Sequence, residues 1–415
     1  MKVFKFGGAS VKDAAAVRNV ANIIKTYTGQ KLVVVISAMG KTTNALEEVA
    51  KAWFYKTADA KEKLQVVIDY HTGIITELFP DKSHPVYAEI HTIIGALDWA
   101  IEDEPIKDFD FEYDQIVSSG ELLATKIVNH YLRDAGIANS WLDARDVIQT
   151  DNTYRDAKVD WSLTERLANE LIPTLENVVV TQGFIGCTSE NYTTTLGREG
   201  SDYTAAILAY CLGAESVTIW KDVPGVLNAD PKFFPDAEKF DNLSYYDSIE
   251  LTYYGATVIH PKTIKPLENK KIPLYVKSFL APDKEGTTIS EASMQPQLSS
   301  YIFKVNQVLI SILPKDFSFI AEDNLSQIFK IFHTFNVKIN LMQNSAISFS
   351  VCIDEGLRLD GLLNELKKTY KVRYNSGLQL ITIRNAKEGF DNVLKNKTTL
   401  LEQRTRTTAQ YVVQG

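Results

Sequence analysis

Residues 1 to 280 alternate short runs of β-branched residues with longer helical stretches, a rhythm that restricts this part of the chain to an α/β sandwich around a mostly parallel sheet. The clearest predicted strands are Lys2 to Phe6, Leu32 to Ile36, Val178 to Thr181, Ser216 to Trp220 and Ile272 to Lys277. Between 42 and 133 the pattern is almost wholly helical, broken near Pro80 and from Asp103 to Asp110. This helical insert is expected to form a lid or shoulder beside a site.

Two loops in that frame suit an anion. Thr194-Thr195-Leu196-Gly197-Arg198-Glu199-Gly200-Ser201-Asp202-Tyr203 puts two glycines, a guanidinium and a carboxylate where the apolar helix of Ala205, Ala206, Ile207, Leu208 and Ala209 begins. A helix N-terminus offers unpaired N–H groups and positive dipole to a phosphate or carboxylate. An ordinary turn capped by Ser201 would give the same pattern. At the other loop, Lys5-Phe6-Gly7-Gly8-Ala9-Ser10 follows an apolar strand and precedes a helix. Its paired glycines let backbone approach a ligand, and its lysine supplies a mobile positive charge. Ala38-Met39-Gly40-Lys41-Thr42 imitates the end of a Walker A loop, but the glycine required five residues before Gly40 is Val35, so a P-loop ATPase is excluded. Lys41 is placed near an acceptor or in solvent.

At 415 residues and 45% hydrophobic content, the chain is long enough for two or three domains with real cores. A net charge of −8 argues against a nucleic-acid partner, so any phosphate binding must be local. Cys187, Cys211 and Cys352 are too scattered for a disulfide framework or a zinc site, and the six histidines show no ligand spacing. No apolar stretch approaches a membrane span and the N-terminus has no signal-peptide core, so a cytoplasmic protein with no membrane partner is expected.

Composition changes at Ala281-Pro282-Asp283-Lys284-Glu285-Gly286 and again at Met294-Gln295-Pro296-Gln297, marking a polar linker. From Val308 the chain reads strand, helix (Leu325 to Phe335), strand (Val337 to Met342), strand (Ser348 to Ile353), helix (Leu357 to Tyr370), strand. A remainder follows, with a strand from Leu378 to Ile383, a helix around Phe390 to Leu394 and a final strand near Ala409 to Val413.

The chain resembles the aspartokinases of the amino-acid kinase superfamily. The resemblance is carried by Lys5-Phe6-Gly7-Gly8-Ala9-Ser10, Ser37-Ala38-Met39-Gly40-Lys41-Thr42-Thr43-Asn44, Ser119-Gly120-Glu121, Val180-Thr181-Gln182-Gly183-Phe184-Ile185-Gly186, Thr195-Leu196-Gly197-Arg198-Glu199-Gly200-Ser201-Asp202, Trp220-Lys221-Asp222-Val223-Pro224-Gly225 and Gly255-Ala256-Thr257-Val258-Ile259-His260-Pro261, in the family's order. It implies a carbamate-kinase-like three-layer α/β sandwich over 1–281, a linker over 282–298 and α+β ACT-like units of ferredoxin type over 299–415. One full ACT unit would span about 314–377, and a reduced second unit would join 299–313 to 378–415. The implied reaction is transfer of the ATP γ-phosphoryl group, with Mg²⁺ on the nucleotide, to the β-carboxylate of L-aspartate. The product, 4-phospho-L-aspartate, opens lysine, threonine and methionine biosynthesis. A homodimer through the ACT units, or a higher oligomer, is implied, while feedback by threonine, feedback by lysine in another pose and no feedback at all stay open. Asn340 to Ile347, however, carries amides and alanine where carboxylates for a lysine effector would be expected.

The same resemblance assigns site residues. Lys5 and Asp202 form the catalytic pair, and Gly7, Gly8, Lys221, Asp222 and Lys232 join Lys5 around the nucleotide. Glu121 takes the ammonium group of aspartate and Arg198 its carboxylate, for which a planar guanidinium fork is better suited than lysine. Thr43 and Ser201 hydrogen-bond the amino acid and Phe184 forms pocket wall. No protein metal ligand is assigned, and His260 shapes the pocket. Ala9 replaces a usual threonine, Glu199 a common glycine, and Thr257 a lysine that contacts nucleotide in many members; Lys262 or Lys232 would have to substitute. Two alternatives stay open: a kinase for another small acid such as glutamate, and a catalytically impaired ACT-type amino-acid sensor.

Overall fold

The computed structural model describes residues 1–27, 29–256, 259–291, 298–316, 318–385 and 391–415. Thr257 therefore lies outside the described residues, as do Met294 to Gln297 and Phe390. The chain divides into two units. The first comprises Met1–Val226, Lys239–Ile249 and Ile259–Gln295; the second comprises Leu227–Glu238, Glu250–Val258 and Pro296–Gly415.

The strands of the first unit are β1 (Lys2–Phe6), β2 (Leu32–Ile36), β3 (Asn139–Leu142), β4 (Val178–Gln182), β5 (Ile185–Cys187), β6 (Thr193–Thr195), β7 (Ser216–Lys221), β8 (Asn242–Ser244), β9 (Leu274–Ser278) and β10 (Thr287–Ser290). Its helices are α1 (Ala14–Lys25), α2 (Thr42–Tyr55), α3 (Ala60–Leu78), α4 (Pro85–Ala100), α5 (Phe109–Val117), α6 (Ser119–Asp134), α7 (Trp161–Leu171), α8 (Gly200–Leu212) and α10 (Pro261–Asn269), with the start of α9 (Tyr245–Tyr254). Eight strands form one sheet in the order β3-β4-β2-β1-β7-β9-β10-β8, parallel except at the β9–β10 pair, and β5 and β6 form a separate hairpin. The wholly apolar β2, Leu32 to Ile36, is buried throughout, as expected of a parallel strand covered on both faces. Helix α6 packs on β2, β3 and β4, while α8 packs on β1, β2 and β7 and carries α7 and α10 with it.

Register positions the site. Phe6 is level with Ile36 and Trp220, and Ile36 with Gln182. The residues that leave these strands, Gly7, Ser37, Gly183 and Lys221, therefore emerge at one carboxyl edge, where open α/β sheets take their ligands. The linker expectation needs correction at Thr287–Ser290, which form β10. Thr287 and Ile289 alternate inward and the strand pairs with both β9 and β8, so local polarity gave way to tertiary pairing.

The second unit holds β11 (Ser300–Pro314), α11 (Glu322–Thr334), β12 (Ile339–Asn344), β13 (Phe349–Asp354), α12 (Leu359–Thr369), β14 (Tyr370–Arg384), α13 (Asp391–Leu394), β15 (Thr398–Arg404) and β16 (Thr408–Gln414). They make one antiparallel sheet, β12-β13-β11-β14-β16-β15. Two ACT-like halves share the long strands β11 and β14, whose register shifts between Lys304 and Leu309. Val308, Ile310 and Ile312 of β11 turn to a core closed by Phe332 of α11 and Leu362, Leu363 and Leu366 of α12. No described helix is long and apolar enough to cross a membrane.

Candidate active site

Lys5, at the end of β1, and Asp202, in the first turn of α8, form an ion pair at 2.6 Å with side chains only 11% and 4% exposed. Lys221, the last residue of β7, approaches the other carboxylate oxygen at 3.8 Å. Burial alone raises the Asp202 pKa, but Lys5 and Lys221 outweigh it and hold the carboxyl below its ordinary range. The cluster holds the Lys5 Nζ beside Asp202 at the carboxyl edge of the sheet. Gly8 follows in the same loop, and a Cβ there would stand 2.6 Å from the Gly40 carbonyl oxygen and 2.9 Å from that of Ala38. Only glycine lets the two loops close together, and the Gly40 N–H donates to the Gly8 carbonyl at 3.0 Å.

Beside the cluster lies a cavity of about 320 Å³ lined by Thr43, Glu121, Phe184, Arg198, Ser201 and their neighbours. Glu121, in the first turn of α6, is 1% exposed. Its Oε1 accepts the Ala38 N–H at 3.3 Å, while its Oε2 has no hydrogen-bond partner among the described residues. Burial pushes this carboxyl up to about 8, against the pull of the Ala38 N–H and the Lys5 charge. The Ser201 hydroxyl donates to Ser37 Oγ at 3.1 Å. Phe184 holds a left-handed backbone (φ 72°), fixed by its N–H donating to Thr204 Oγ1 at 2.9 Å. Arg198 is exposed at the cavity rim. Its neighbour Glu199 begins α8 with φ 54° and accepts the His260 N–H at 2.9 Å, which ties α10 to this corner.

The structure thus brings Lys5, Asp202 and Lys221 together, and groups Thr43, Glu121, Phe184, Arg198 and Ser201 around one cavity. Gly7 lies two residues beyond Lys5, and a Cβ on it would lie 3.2 Å from the Lys5 Nζ. Asp222 is exposed just past β7. Lys232 belongs to the Leu227–Glu238 segment of the second unit and is not among the residues grouped here.

Sequence reasoning missed Asp114, Tyr113 and Arg155. Asp114 is fully buried and accepts the Thr195 N–H at 2.8 Å, the Thr195 hydroxyl at 2.7 Å and the Arg155 N–H at 3.0 Å. Burial lifts its carboxyl to about 6 despite these donors. Tyr113 and Arg155 both line the cavity. Asp114 shares α5 with Asp110 and Glu112, so the sequence did not single it out, and Arg155 sits in a polar loop that offered no signal either.

The amino acid kinase family model matches residues 1–278. Over 393 residues the chain is 32% identical to the lysine-sensitive aspartokinase 3 of Escherichia coli, covering 92% of this chain and 86% of that one. The chain belongs to the aspartokinase branch of the amino acid kinases. Aspartokinase 1 of Arabidopsis thaliana, a chloroplastic protein, is 30% identical over 404 residues, covering 92% of this chain and 70% of its own length. Among solved structures, E. coli aspartokinase III in complex with aspartate and ADP superposes with a TM-score of 0.85 at 28% identity, covering 100% of this chain and 96% of that one. The same enzyme with lysine and aspartate gives 0.83 at 28% identity, with the same coverage. This aspartokinase-family chain shares the amino-acid kinase sandwich and the C-terminal ACT-like sheet with them.

Proposed function

We propose that the chain is an aspartate kinase, transferring the ATP γ-phosphoryl group to the β-carboxylate of L-aspartate to give 4-phospho-L-aspartate. The observation that carries this reading is Glu121: a buried carboxylate with one oxygen unpartnered among the described residues, in a cavity that also presents the Arg198 guanidinium and adjoins the Lys5–Asp202 pair. A free amino acid needs an acid for its ammonium group and a fork for its carboxylate, and this cavity offers both.

The acceptor needs no general base, because an aspartate side chain with a pKa of about 3.9 is already ionised at neutral pH. The work is to bring two anions together and neutralise charge that spreads over the transferring group. Lys5 supplies that charge, with Asp202 holding its Nζ in place. The Gly7 and Gly8 backbone gives the phosphates close approach, and Lys221, Asp222 and Lys232 are assigned to the nucleotide. Glu121 and Arg198 orient aspartate, Thr43 and Ser201 hydrogen-bond it, and Phe184 walls the cavity. Mg²⁺ would be held by the nucleotide phosphates, where it would shield their charge. A homodimer through the ACT-like sheet, with threonine or lysine as effector, belongs to the same proposal.

Trapping of acyl phosphate with hydroxylamine, using aspartate and glutamate in parallel, tests the reading. Aspartate-dependent product is expected, abolished in Lys5→Ala and Asp202→Ala with folding intact. Product from glutamate alone would reassign the substrate, and near-normal rates in either variant would remove the catalytic pair.

A further inference from the structure

Arg155 stands in the loop closed by the Thr150–Val159 bridge, in a conformation with φ 64° that its backbone N–H locks by donating to buried Asp114. Its guanidinium lies 4.3 Å from the centre of the Tyr113 ring and 5.7 Å from that of Phe109, and it lines the same cavity as Arg198 and Glu121. It faces two carboxylates, Asp110 at 3.3 Å and Glu47 at 3.6 Å, neither at the roughly 2.7–2.9 Å of a strong charge-assisted bond. Glu47 also has a second cation, Lys51 at 3.1 Å. The pair is therefore loose on both sides: Arg155 is held in place by its backbone and by Tyr113, and Glu47 has somewhere else to go.

The charges of the incoming amino acid make this position matter. One carboxylate of aspartate must approach Lys5, and Glu121 takes the ammonium. The remaining α-carboxylate has about four lone-pair sites, enough for two guanidinium forks. Glu199, the other carboxylate of the lining, already receives the His260 N–H.

We propose that Arg155 is a second carboxylate-binding guanidinium of the acceptor cavity, resting on Glu47 and Asp110 until the substrate α-carboxylate displaces them; this rests on the aspartate-kinase reading. Asp114 acts through it as a positioning residue, since its carboxylate fixes the Arg155 and Thr195 backbones together.

The experiment is steady-state kinetics for L-aspartate, with titration calorimetry of L-aspartate as a readout independent of turnover, on wild type, Arg155→Ala, Arg155→Lys and Glu47→Gln. Removing a charge-assisted contact should raise the aspartate KM and Kd of Arg155→Ala roughly tenfold or more, with kcat within about twofold. Lysine should restore only part of this, lacking the fork. Glu47→Gln should lower KM by freeing the guanidinium, an effect that a structural brace would not give. Unchanged aspartate affinity in Arg155→Ala, or Glu47→Gln raising KM alongside it, would overturn the proposal. If wild type binds aspartate but forms no acyl phosphate, the kinase reading fails while the calorimetry of Arg155→Ala still decides this one; if wild type binds no aspartate, both fall.

Discussion

Glu121 carries the largest consequence at the scale of a single residue. Its carboxyl sits near 8 instead of its ordinary 4.5 because it is buried, so the folded protein binds a proton here that the unfolded chain releases. Stability contributed by this site is therefore highest below about 4.5 and falls as pH rises toward 8. An ammonium group in the cavity reverses the preference and favours the ionised form. Aspartate binding should thus expel about one proton at neutral pH, and affinity should strengthen up to about tenfold per unit as pH rises toward the Glu121 pKa. Calorimetric titrations in buffers of different ionisation heat would read the proton directly. Glu121→Gln should abolish the release and flatten the stability slope between about 6 and 8, the part that Asp114, near 6, does not supply. Equal heats in all buffers would remove Glu121 from the ammonium role.

Among the elements, α8 and the β4–β5 turn depend on one another. A Cβ on Gly200 would stand 2.6 Å from Phe184 Cδ2, and Phe184 already holds a left-handed backbone. Gly200→Ala should drive the ring toward the cavity, costing about 1–3 kcal/mol by overpacking and raising the aspartate KM more than it lowers kcat. A melting temperature and KM both matching wild type would show that the turn yields instead. The helical character of residues 42 to 134 was legible because long periodic segments announce themselves, although the two breaks read near Pro80 and at 103–110 fall short of the four that separate its five helices; β1 was legible too, with its bounds at Lys2 and Phe6. The three-residue strands β5, β6 and β8 were not, nor was β10, because so short a segment has no period of its own and forms only where a neighbour pairs with it. The seven-residue β15 was hidden for another reason: it is an edge strand against β16 with only Leu401 buried, so it shows no inward-facing alternation.

At the scale of the whole molecule, the two units interleave along the chain. Leu227–Glu238 and Glu250–Val258 belong with the C-terminal sheet although residues of the first unit flank them on both sides. Phe233 stacks on Phe303 at 5.2 Å, Phe234 on Tyr301 at 4.8 Å, and Arg384 pairs with Glu250 at 3.8 Å. A chain cut after residue 291 would leave Phe233, Phe234 and Glu250 without these partners. It should be poorly soluble and inactive, although the sequence reading ends the catalytic domain near 281. A monodisperse, cooperatively melting and active truncation would refute the dependence. Phe234→Ala in the full chain is the milder check; losing a stacked aromatic and its buried area should cost a few kcal/mol, about 3–5 where burial is complete and less here.

The amino-acid sequence by itself determined the α/β class, the βαββαβ order near the C-terminus, and the two anion-type loops. Each of these rests on local properties: hydrophobic period, glycine's freedom from a side chain, and the charge of Lys5 and Arg198. The family resemblance paired Lys5 with Asp202, but tertiary structure alone decided that Lys221 joins them, because three separate segments meet there only through the register of β1 and β7 and the seating of α8. It also decided the proton affinity of Glu121 and the placing of Arg155 over Tyr113. Burial and contact between residues far apart in the chain are set by packing, and no short stretch of sequence records them.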